Sequence, residues 1–272
     1  MSESLSGYFN RHKYIFWILN IVFIIIIFIL FQKHFYPEAN FAEALTADNI
    51  KFMLFGMEDE LGGLVLTFVL AFISIILSFI IGSILGIARY SSIKIIKIPA
   101  VVYIELFRAL PLIMVIFWVY FAIPIVGGAI FDMKFSLSAL SSGIIAFTLF
   151  ESAYIAEIVR AGLNSIDKGQ FEAGKTLGMN ILQIYIFIIL PQVYRRMIPA
   201  ILSQFVSLFK DTSLIYVISV VDFFRAATII NNRIYMSFEI FSFVAFIYFI
   251  CAFTLSKLAN KLEKTVEKQL HT

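Results

Sequence analysis

Six runs of apolar residues divide this chain, and each is about as long as a lipid bilayer is thick. The runs are Tyr14–Phe31, Leu61–Ala88, Pro99–Val126, Leu137–Val159, Ile198–Val220 and Ser237–Leu258. Crossing the hydrocarbon core takes a helix of about 20 residues. Because no water reaches that core, a spanning segment must satisfy its own backbone hydrogen bonds, as an α-helix does. The chain is therefore predicted to be an all-α integral membrane protein with about six transmembrane helices.

The composition supports lipid as the solvent for much of the chain. Hydrophobic residues make up 61% of the sequence and charged residues 14%, whereas soluble domains carry about 45–50% and about 25%. The net charge of +3 is too small to indicate nucleic-acid binding. Cys251 is the only cysteine, so neither a disulfide nor a cysteine-based metal site is predicted.

Lysine and arginine are concentrated in one set of loops between the apolar runs. These residues are Arg11, Lys13, Arg89, Lys94, Lys97, Arg160, Lys168, Lys175, Arg195, Arg196, Lys257, Lys261, Lys264 and Lys268. The opposite loops hold fewer cations and more carboxylates. Since basic short loops are retained in the cytoplasm, both termini are predicted to be cytoplasmic.

The first apolar run has an alternative interpretation as a secretory signal. Ala42-Glu43-Ala44 is a possible small-residue cleavage site, but it lies well beyond the end of Tyr14–Phe31. The run is also long for the apolar region of a signal peptide. An uncleaved helix is favoured, and cleavage would leave five spans with the same remaining topology.

A seventh apolar patch, Ile181–Leu190, is about half the length of a span and ends at Pro191. We interpret it as an interfacial helix or an entry helix. Just before it, Gly169–Thr176 matches the P-loop pattern G-x-x-x-x-G-K-[ST]. A P-loop requires a preceding strand in a parallel sheet, and here the preceding element is an apolar helix. We interpret the match as accidental and predict that this chain hydrolyses no ATP.

In a longer frame, the same segment reads Glu172-Ala173-Gly174, three residues, Gly178, nine residues, and then Ile188-Ile189-Leu190-Pro191. This spacing resembles the EAA loop of bacterial ABC importer permeases, with Gly174 in place of the second alanine. The resemblance implies a short cytoplasmic coupling helix that docks on a separate ATPase subunit. The residues to which it assigns coupling are Glu172, Ala173, Gly174, Gly178, Leu190 and Pro191.

Other segments resemble the polar amino-acid uptake branch of these permeases. They are Phe107–Leu112, Glu157–Gly162, Leu190–Gln192 and Lys210–Leu214, while Asp222–Ala227 resembles permeases of glutamate/aspartate importers. The resemblance covers about residue 61 to the C-terminus. It implies that residues 1–60 hold a cytoplasmic tail, an extra helix and an extracytoplasmic loop. Residues 61–258 would form a five-helix type I importer permease domain, with its coupling loop at about 160–191, and residues 259–272 a cytoplasmic tail.

The same resemblance implies partners and a location. We expect two copies of a cytoplasmic ATPase subunit, a second permease that is a similar chain or a copy of this one, and an extracytoplasmic solute-binding protein. ATP and magnesium would be bound by the ATPase, and no cofactor by this chain. The expected site is the bacterial cytoplasmic (inner) membrane, and the expected substrate is glutamate or aspartate, with glutamine or another polar amino acid as the alternative.

Ionisable groups inside apolar spans are costly and often mark a transport pathway. The candidate pathway residues are Arg108, Glu151, Lys210, Asp211, Thr212 and Ser213. Simpler explanations remain for several of these charges. Arg108 is three residues from Glu105 and is expected to pair with it, and Lys210 is an alternative partner for Glu151. Arg160 is expected to act as an interfacial anchor.

Two other classes of protein remain as alternatives. A self-sufficient ion-coupled carrier would use Glu151 and Glu157 as a proton relay, but carriers are commonly built from internal repeats, and the halves of this sequence show none. A membrane enzyme is less favoured, because the sequence contains no nucleophile–base pair and no H-E-x-x-H motif. A non-catalytic transport subunit is therefore preferred.

Overall fold

The computed structural model describes residues 32–34, 36–57, 60–131 and 136–270. The predicted first span, Tyr14–Phe31, lies outside the described residues. Within them the fold is all-α, as predicted, and no strand is present. The helices are α1 (Phe41–Ala44), α2 (Ala47–Phe55), α3 (Gly63–Tyr90), α4 (Lys94–Ala109), α5 (Leu112–Phe117), α6 (Ile123–Phe131), α7 (Ala139–Asn164), α8 (Lys168–Thr176), α9 (Ile181–Ile184), α10 (Leu190–Asp211), α11 (Phe223–Ile234) and α12 (Ser237–Leu270).

Five helical stretches of the described chain are long and apolar enough to cross a membrane. They are Gly63–Tyr90, Leu112–Ile130, Ala139–Asn164, Ile181–Ile218 and Ser237–Lys264. Two of these stretches are composite. A π-helical turn, Trp118–Ala122, joins α5 to α6, and a second one, Tyr185–Ile189, joins α9 to α10. A 3₁₀ segment, Thr212–Ile218, extends α10.

The predicted span Pro99–Val126 is wrong, because the chain breaks within it. Leu110 is extended (φ −89°, ψ 145°) and ends α4, as expected for a residue before proline, and Pro111 then starts α5. Arg89, in the last turn of α3, is 3.5 Å from Glu105 near the end of α4. Since only three residues separate α3 from α4, α4 lies near the C-terminal end of α3 and is not among the five stretches long enough to span a membrane.

The short patch Ile181–Leu190 is the entry helix of the two alternatives and not an interfacial helix, because it continues into α10. Pro191 cannot donate a backbone hydrogen bond, and its ring crowds the preceding turn. The π-turn widens that turn, and the N–H of Leu190 reaches back to the carbonyl of Tyr185. Pro124 follows the other π-turn in the same way, with Ile123 bonded to Trp118. Each proline is accommodated by an added residue in the turn, so the helix continues.

The centre of the fold is the contact between α3 and α7. Gly82 and Gly86 bring the two backbones together, since a Cβ at Gly82 would lie 2.7 Å from Cβ of Ile155. The hydroxyl of Ser78 donates to the carbonyl of Thr148 across the same contact at 3.2 Å. Small residues at such positions permit close helix packing in membranes, where lipid provides no hydrophobic drive.

A second apolar cluster joins α2, α11 and the start of α12. It includes Met53, Phe223, Ile230 and Ile240. Asp222 caps α11, and its carboxylate accepts hydrogen bonds from the backbone N–H groups of Phe224 and Arg225. Burial nevertheless raises the pKa of Asp222 to about 7, because the low-dielectric surroundings disfavour the charged form.

Candidate functional site

The segment with the P-loop lettering is a capped helix that ends in a sharp reversal. Asp167 caps the start of α8 by accepting a hydrogen bond from the backbone N–H of Gly169. At the other end, the N–H of Met179 bonds to the carbonyl of Gly174, and the N–H of Gly178 to that of Lys175. This is the Schellman arrangement, and it requires the left-handed φ of +74° at Gly178. The residues that would form a phosphate-binding loop are therefore helical.

The two faces of α8 have different surroundings. Gly174 is buried on the inner face, where a Cβ would lie 2.8 Å from Cγ1 of Ile184. Glu172 and Ala173 are exposed, and Leu177 is 78% exposed just beyond the helix. The position that departs from the EAA pattern thus packs within this chain, while Glu172 and Ala173 remain accessible to a partner.

Side chains connect α8 to the long helix beside it. The amide of Gln192 donates to the carbonyl of Ile188 at 2.9 Å and approaches the side-chain oxygen of Gln170 at 3.4 Å. The rings of Phe171 and Tyr185 meet edge to face, with centroids 6.1 Å apart. Leu190 and Pro191 lie where the π-turn becomes α10. These contacts connect α8 to the π-turn and to the start of α10.

Glu157 is surrounded by three arginines from three helices. Its carboxylate oxygens lie 3.1 Å from Arg89 of α3, 3.6 Å from Arg108 at the end of α4, and 3.0 Å from Arg160 of α7. We call these four residues the arginine node. Arg108 also lies over the ring of Tyr154, 5.6 Å from its centroid.

The arginine node corrects one expectation from the sequence. Glu105 pairs with Arg89, and Arg108 pairs with Glu157, so the expected pair of Glu105 with Arg108 is wrong. Arg160 donates hydrogen bonds to Glu157 from both Nε and Nη2, and its side chain is 36% exposed. Helix periodicity predicted that Glu105 lies beside Arg108. The packing of α3 and α7 against α4 instead brings Arg89 to Glu105 and Glu157 to Arg108.

Glu151 is fully buried in α7 and bonds to a residue of α10. The side-chain amide of Gln204 donates to one carboxylate oxygen at 2.7 Å. The other oxygen has no hydrogen-bond partner among the described residues. Lys210 does not pair with Glu151, so that alternative is wrong. Sequence reasoning did not identify Gln204, although an amide within an apolar helix was a usable signal.

The other candidate pathway residues have different environments. Lys210 is exposed and, with Ser213, lines a cleft of about 270 Å³ that also contacts Phe224 and Tyr248. Asp211 is half-buried. Thr212 is fully buried, and its hydroxyl donates to the carbonyl of Phe209. Lys210 and Ser213 thus line a cleft of their own. Arg108, Glu151 and Asp211 instead lie around Tyr154, close enough to interact electrostatically with it.

Known proteins resemble this chain over most of its length. The family model described as "Binding-protein-dependent transport system inner membrane component" matches residues 78–268. The probable glutamine ABC transporter permease protein GlnP of Bacillus subtilis (strain 168) is 43% identical over 204 residues, which cover 74% of this chain and 90% of that protein. The glutamate/aspartate import permease protein GltK of Escherichia coli O6:H1 is 38% identical over 209 residues, which cover 75% and 92%.

Solved structures show the same fold. A crystal structure of an amino acid ABC transporter with histidines contains a chain that superposes with a TM-score of 0.67 at 34% identity, over 75% of this chain and 92% of that chain. An inward-facing MetNI methionine ABC transporter matches with a TM-score of 0.60 over 74% and 93% of the two chains. At 18% identity, this second similarity concerns the fold alone.

Proposed function

This chain belongs to the family of binding-protein-dependent transport system inner membrane components, and we propose that it carries glutamate or aspartate into the cytoplasm. It is a multi-pass inner-membrane permease of an amino-acid ABC importer, a transport protein and not a catalyst. Such a permease works in general with an ATPase and a binding protein. The observation that carries the coupling assignment is the capped helix α8, which exposes Glu172 and Ala173 and packs Gly174 inward.

The proposed assembly contains two ATPase subunits, a second permease and an extracytoplasmic binding protein. The second permease is a similar chain or another copy of this one. ATP and magnesium belong to the ATPase subunits, and this chain holds no cofactor. The basic inner loops support cytoplasmic termini, since the positive charges of Arg89, Lys94, Lys97, Lys168 and Lys175 lie at the same side as α8.

The proposed mechanism is alternating access driven by the ATPases. Closure of the ATPases draws the two α8 helices together, and Gln170–Gln192 and Phe171–Tyr185 transfer that displacement to the π-turn. The stretch Ile181–Ile218 is continuous, so a movement at its inner end reaches Gln204 about 35 Å away, at 1.5 Å per residue. Gln204 holds Glu151, which couples this long helix to α7. Hydrolysis then resets the helices.

The proposed substrate pathway runs past Glu151 and the cleft of Lys210. Glu151 has an unpaired carboxylate oxygen that can accept an ammonium hydrogen. Lys210 and Ser213 offer an ammonium and a hydroxyl in an open cleft, which suits a carboxylate. Asp211 is adjacent to Lys210 in the chain. Arg108 lies in the arginine node, where three arginines surround one glutamate. Thr212 contributes to the helix turn through its bond to Phe209. These features favour an acidic amino acid, with glutamine as the alternative.

The ion-coupled carrier is not favoured. Its proton relay required Glu151 and Glu157 to exchange protons, yet Glu157 is surrounded by Arg89, Arg108 and Arg160. An adjacent cation stabilises the ionised carboxylate and so opposes protonation. Glu157 is therefore assigned to structural pairing rather than proton transfer.

Reconstitution in proteoliposomes tests both the coupling and the substrate. The permease is purified with its ATPase and binding protein, and uptake of glutamate, aspartate and glutamine is measured with internal ATP. Glu172→Lys is expected to leave ATPase activity while abolishing uptake, whereas Glu38→Lys, an exposed substitution outside α8, leaves both intact. Coupled uptake at the normal rate by the Glu172→Lys variant contradicts the coupling assignment. Uptake without ATP or binding protein contradicts the importer assignment.

The choice between acidic and neutral substrates depends on Lys210. Lys210→Ala is expected to lower glutamate uptake several-fold more than glutamine uptake, while Lys210→Arg keeps the charge and preserves glutamate uptake. Ligand-induced thermal stabilisation of the binding protein identifies the substrate independently. Equal effects of Lys210→Ala on both substrates, at a normal membrane level, remove Lys210 from the proposed pathway.

A further inference from the structure

The chain segment before α1 is attached to the outer end of α12. The ring of Tyr36 stacks on that of Phe238, with centroids 4.4 Å apart and an angle of 13° between the rings. The backbone N–H of Asn40 donates to the buried carboxylate of Glu239 at 2.8 Å. Residues 36–40 therefore lie beside the start of α12.

Farther along, α12 carries an exposed aromatic face. Phe246 and Phe249 are 58% and 60% exposed, and Ile250 and Phe253 are 42% and 38% exposed. The rings of Phe249 and Phe253 stack at a centroid distance of 5.6 Å. We call these four residues the aromatic face of α12. Apolar side chains on one side of a membrane helix contact either lipid or another helix, so exposure alone does not identify the neighbour.

The position of Tyr36 indicates which neighbour is available. Phe238 and Phe249 are eleven residues apart, which is about three helical turns, so both lie on the same side of α12. Tyr36 thus lies at the outer end of the aromatic face. Phe31 is only five positions before Tyr36 in the chain, so the end of the N-terminal apolar run lies at most about 18 Å away.

The length and charges of the N-terminal run fit the same place. Tyr14–Phe31 has 18 residues, about 27 Å as a helix, which is close to the 30 Å thickness of the hydrocarbon core. Arg11 and Lys13 precede the run. At the inner end of the aromatic face, Lys257 lies 4.4 Å from the centroid of the Phe253 ring. Both inner ends are therefore basic, as expected for cytoplasmic ends.

From the attachment, the register and the length together, we propose that Tyr14–Phe31 crosses the membrane antiparallel to α12 of the same chain and covers its aromatic face. This placement is independent of the transported substrate. It also has a consequence for assembly, because a second permease then binds to other faces of this chain and not to Phe246, Phe249 and Phe253.

Disulfide crosslinking of the full-length chain tests the placement. In a Cys251→Ala background, Phe249→Cys is combined with single cysteines at each position from 22 to 28, which are about level with Phe249 if the run descends from Tyr36. The matched control combines the same cysteines with Phe72→Cys, because Phe72 of α3 is also 60% exposed and lies at a similar depth. Oxidation is followed on non-reducing gels, and free thiols are counted by maleimide–polymer labelling.

The proposal predicts that disulfides with Phe249→Cys form within one chain, at positions three or four residues apart, and far less with Phe72→Cys. Both thiols then disappear from a product that migrates as a single chain. A product of two linked chains would show that a second copy covers the face and would overturn the proposal. Equal crosslinking with Phe249→Cys and Phe72→Cys would show that the N-terminal run has no preference for this face. No crosslinking with either would show that the run does not lie against it, and each result would overturn the proposal.

Discussion

Gly174 on α8 lies against Ile184 on α9 so closely that a Cβ on the glycine would be 2.8 Å from Cγ1 of the isoleucine. The alanine of the family pattern at this position does not fit this arrangement without a shift of Ile184, which is fully buried. Glycine therefore allows α8 to pack on the start of the long helix, and the loss of helix propensity is the cost of this contact.

Gly174→Ala is expected to destabilise the permease by about 1 kcal/mol. Overpacking costs about 1–3 kcal/mol, and the gain in helix propensity offsets about 1 kcal/mol of it. In an Ile184→Ala background the sign reverses, because the added methyl then fills space. Thermal unfolding of the four variants in detergent provides the double-mutant cycle. A destabilising effect of equal size in both backgrounds would show that Ile184 is not the obstacle.

Gly178→Ala is expected to destabilise the turn after α8 by about 1 kcal/mol, because a left-handed φ is unfavourable for residues with a Cβ. Gly178→Asn is expected to cost less, since asparagine tolerates this conformation. No atom lies within 4 Å of a Cβ built here, so steric clash within the chain does not contribute. Thermal unfolding of the isolated permease measures this cost, and a loss of coupled uptake by the Asn variant would then indicate contact with the ATPase.

Glu157→Gln is expected to destabilise the permease by about 2 kcal/mol. This lies between the values for buried and surface ion pairs, because the Glu157 side chain is only 18% exposed. Its neutralisation leaves Arg108 and Arg160 without a counter-ion in the described part of the chain, while Arg89 keeps Glu105. Glu105→Gln is the matched control, since Glu105 is 65% exposed and pairs only with Arg89 among the described residues; we expect less than about 1 kcal/mol. Similar melting temperatures for both variants would contradict the central position of Glu157.

The stability of the permease is expected to depend on pH through Asp222. Its pKa in the folded protein is about 7, raised by burial above the usual value near 4. The folded state therefore binds the proton more tightly, and this stabilisation is lost as the pH rises from about 4 through 7. Asp222→Asn should flatten the difference in melting temperature between pH 5 and pH 8.

Asp222→Ala separates this effect from the capping of α11. The alanine variant loses the hydrogen bonds from Phe224 and Arg225, and should be less stable than the Asn variant by about 1 kcal/mol at every pH. An unchanged pH dependence in Asp222→Asn, relative to the wild type, would show that Asp222 does not titrate in this range.

Several features of the site were accessible from the sequence because they depend on local chemistry. The spacing from Glu172 to Pro191 predicted a short helix followed by a turn, and the structure confirms α8 and the left-handed Gly178. Pro111 and Pro191 both follow apolar helical segments, but their effects differ. Pro111 ends a helix, whereas Pro191 is accommodated by a π-turn. Only the packing around each proline distinguishes these outcomes.

The pairing of charges was not accessible in the same way. Arg108 follows Glu105 by three residues, yet its carboxylate partner Glu157 is 49 residues away. Glu151 binds Gln204, 53 residues away, rather than Lys210. Helix periodicity describes neighbours on one helix, and it carries no information about which second helix approaches.

By itself, the sequence determined that lipid surrounds much of this protein and that its apolar runs form helices. Apolar runs of bilayer length require helices, because lipid provides no hydrogen bonds to an open backbone. Only the tertiary structure decided that α4 is not among the spanning stretches, that Ile181–Ile218 is one stretch, that Gly174 faces inward and that Glu157 gathers three arginines. These outcomes depend on close contacts between helices that are distant in the chain. The absence of a methyl group at Gly174 and the charge of Glu157 are two examples of what determines such contacts.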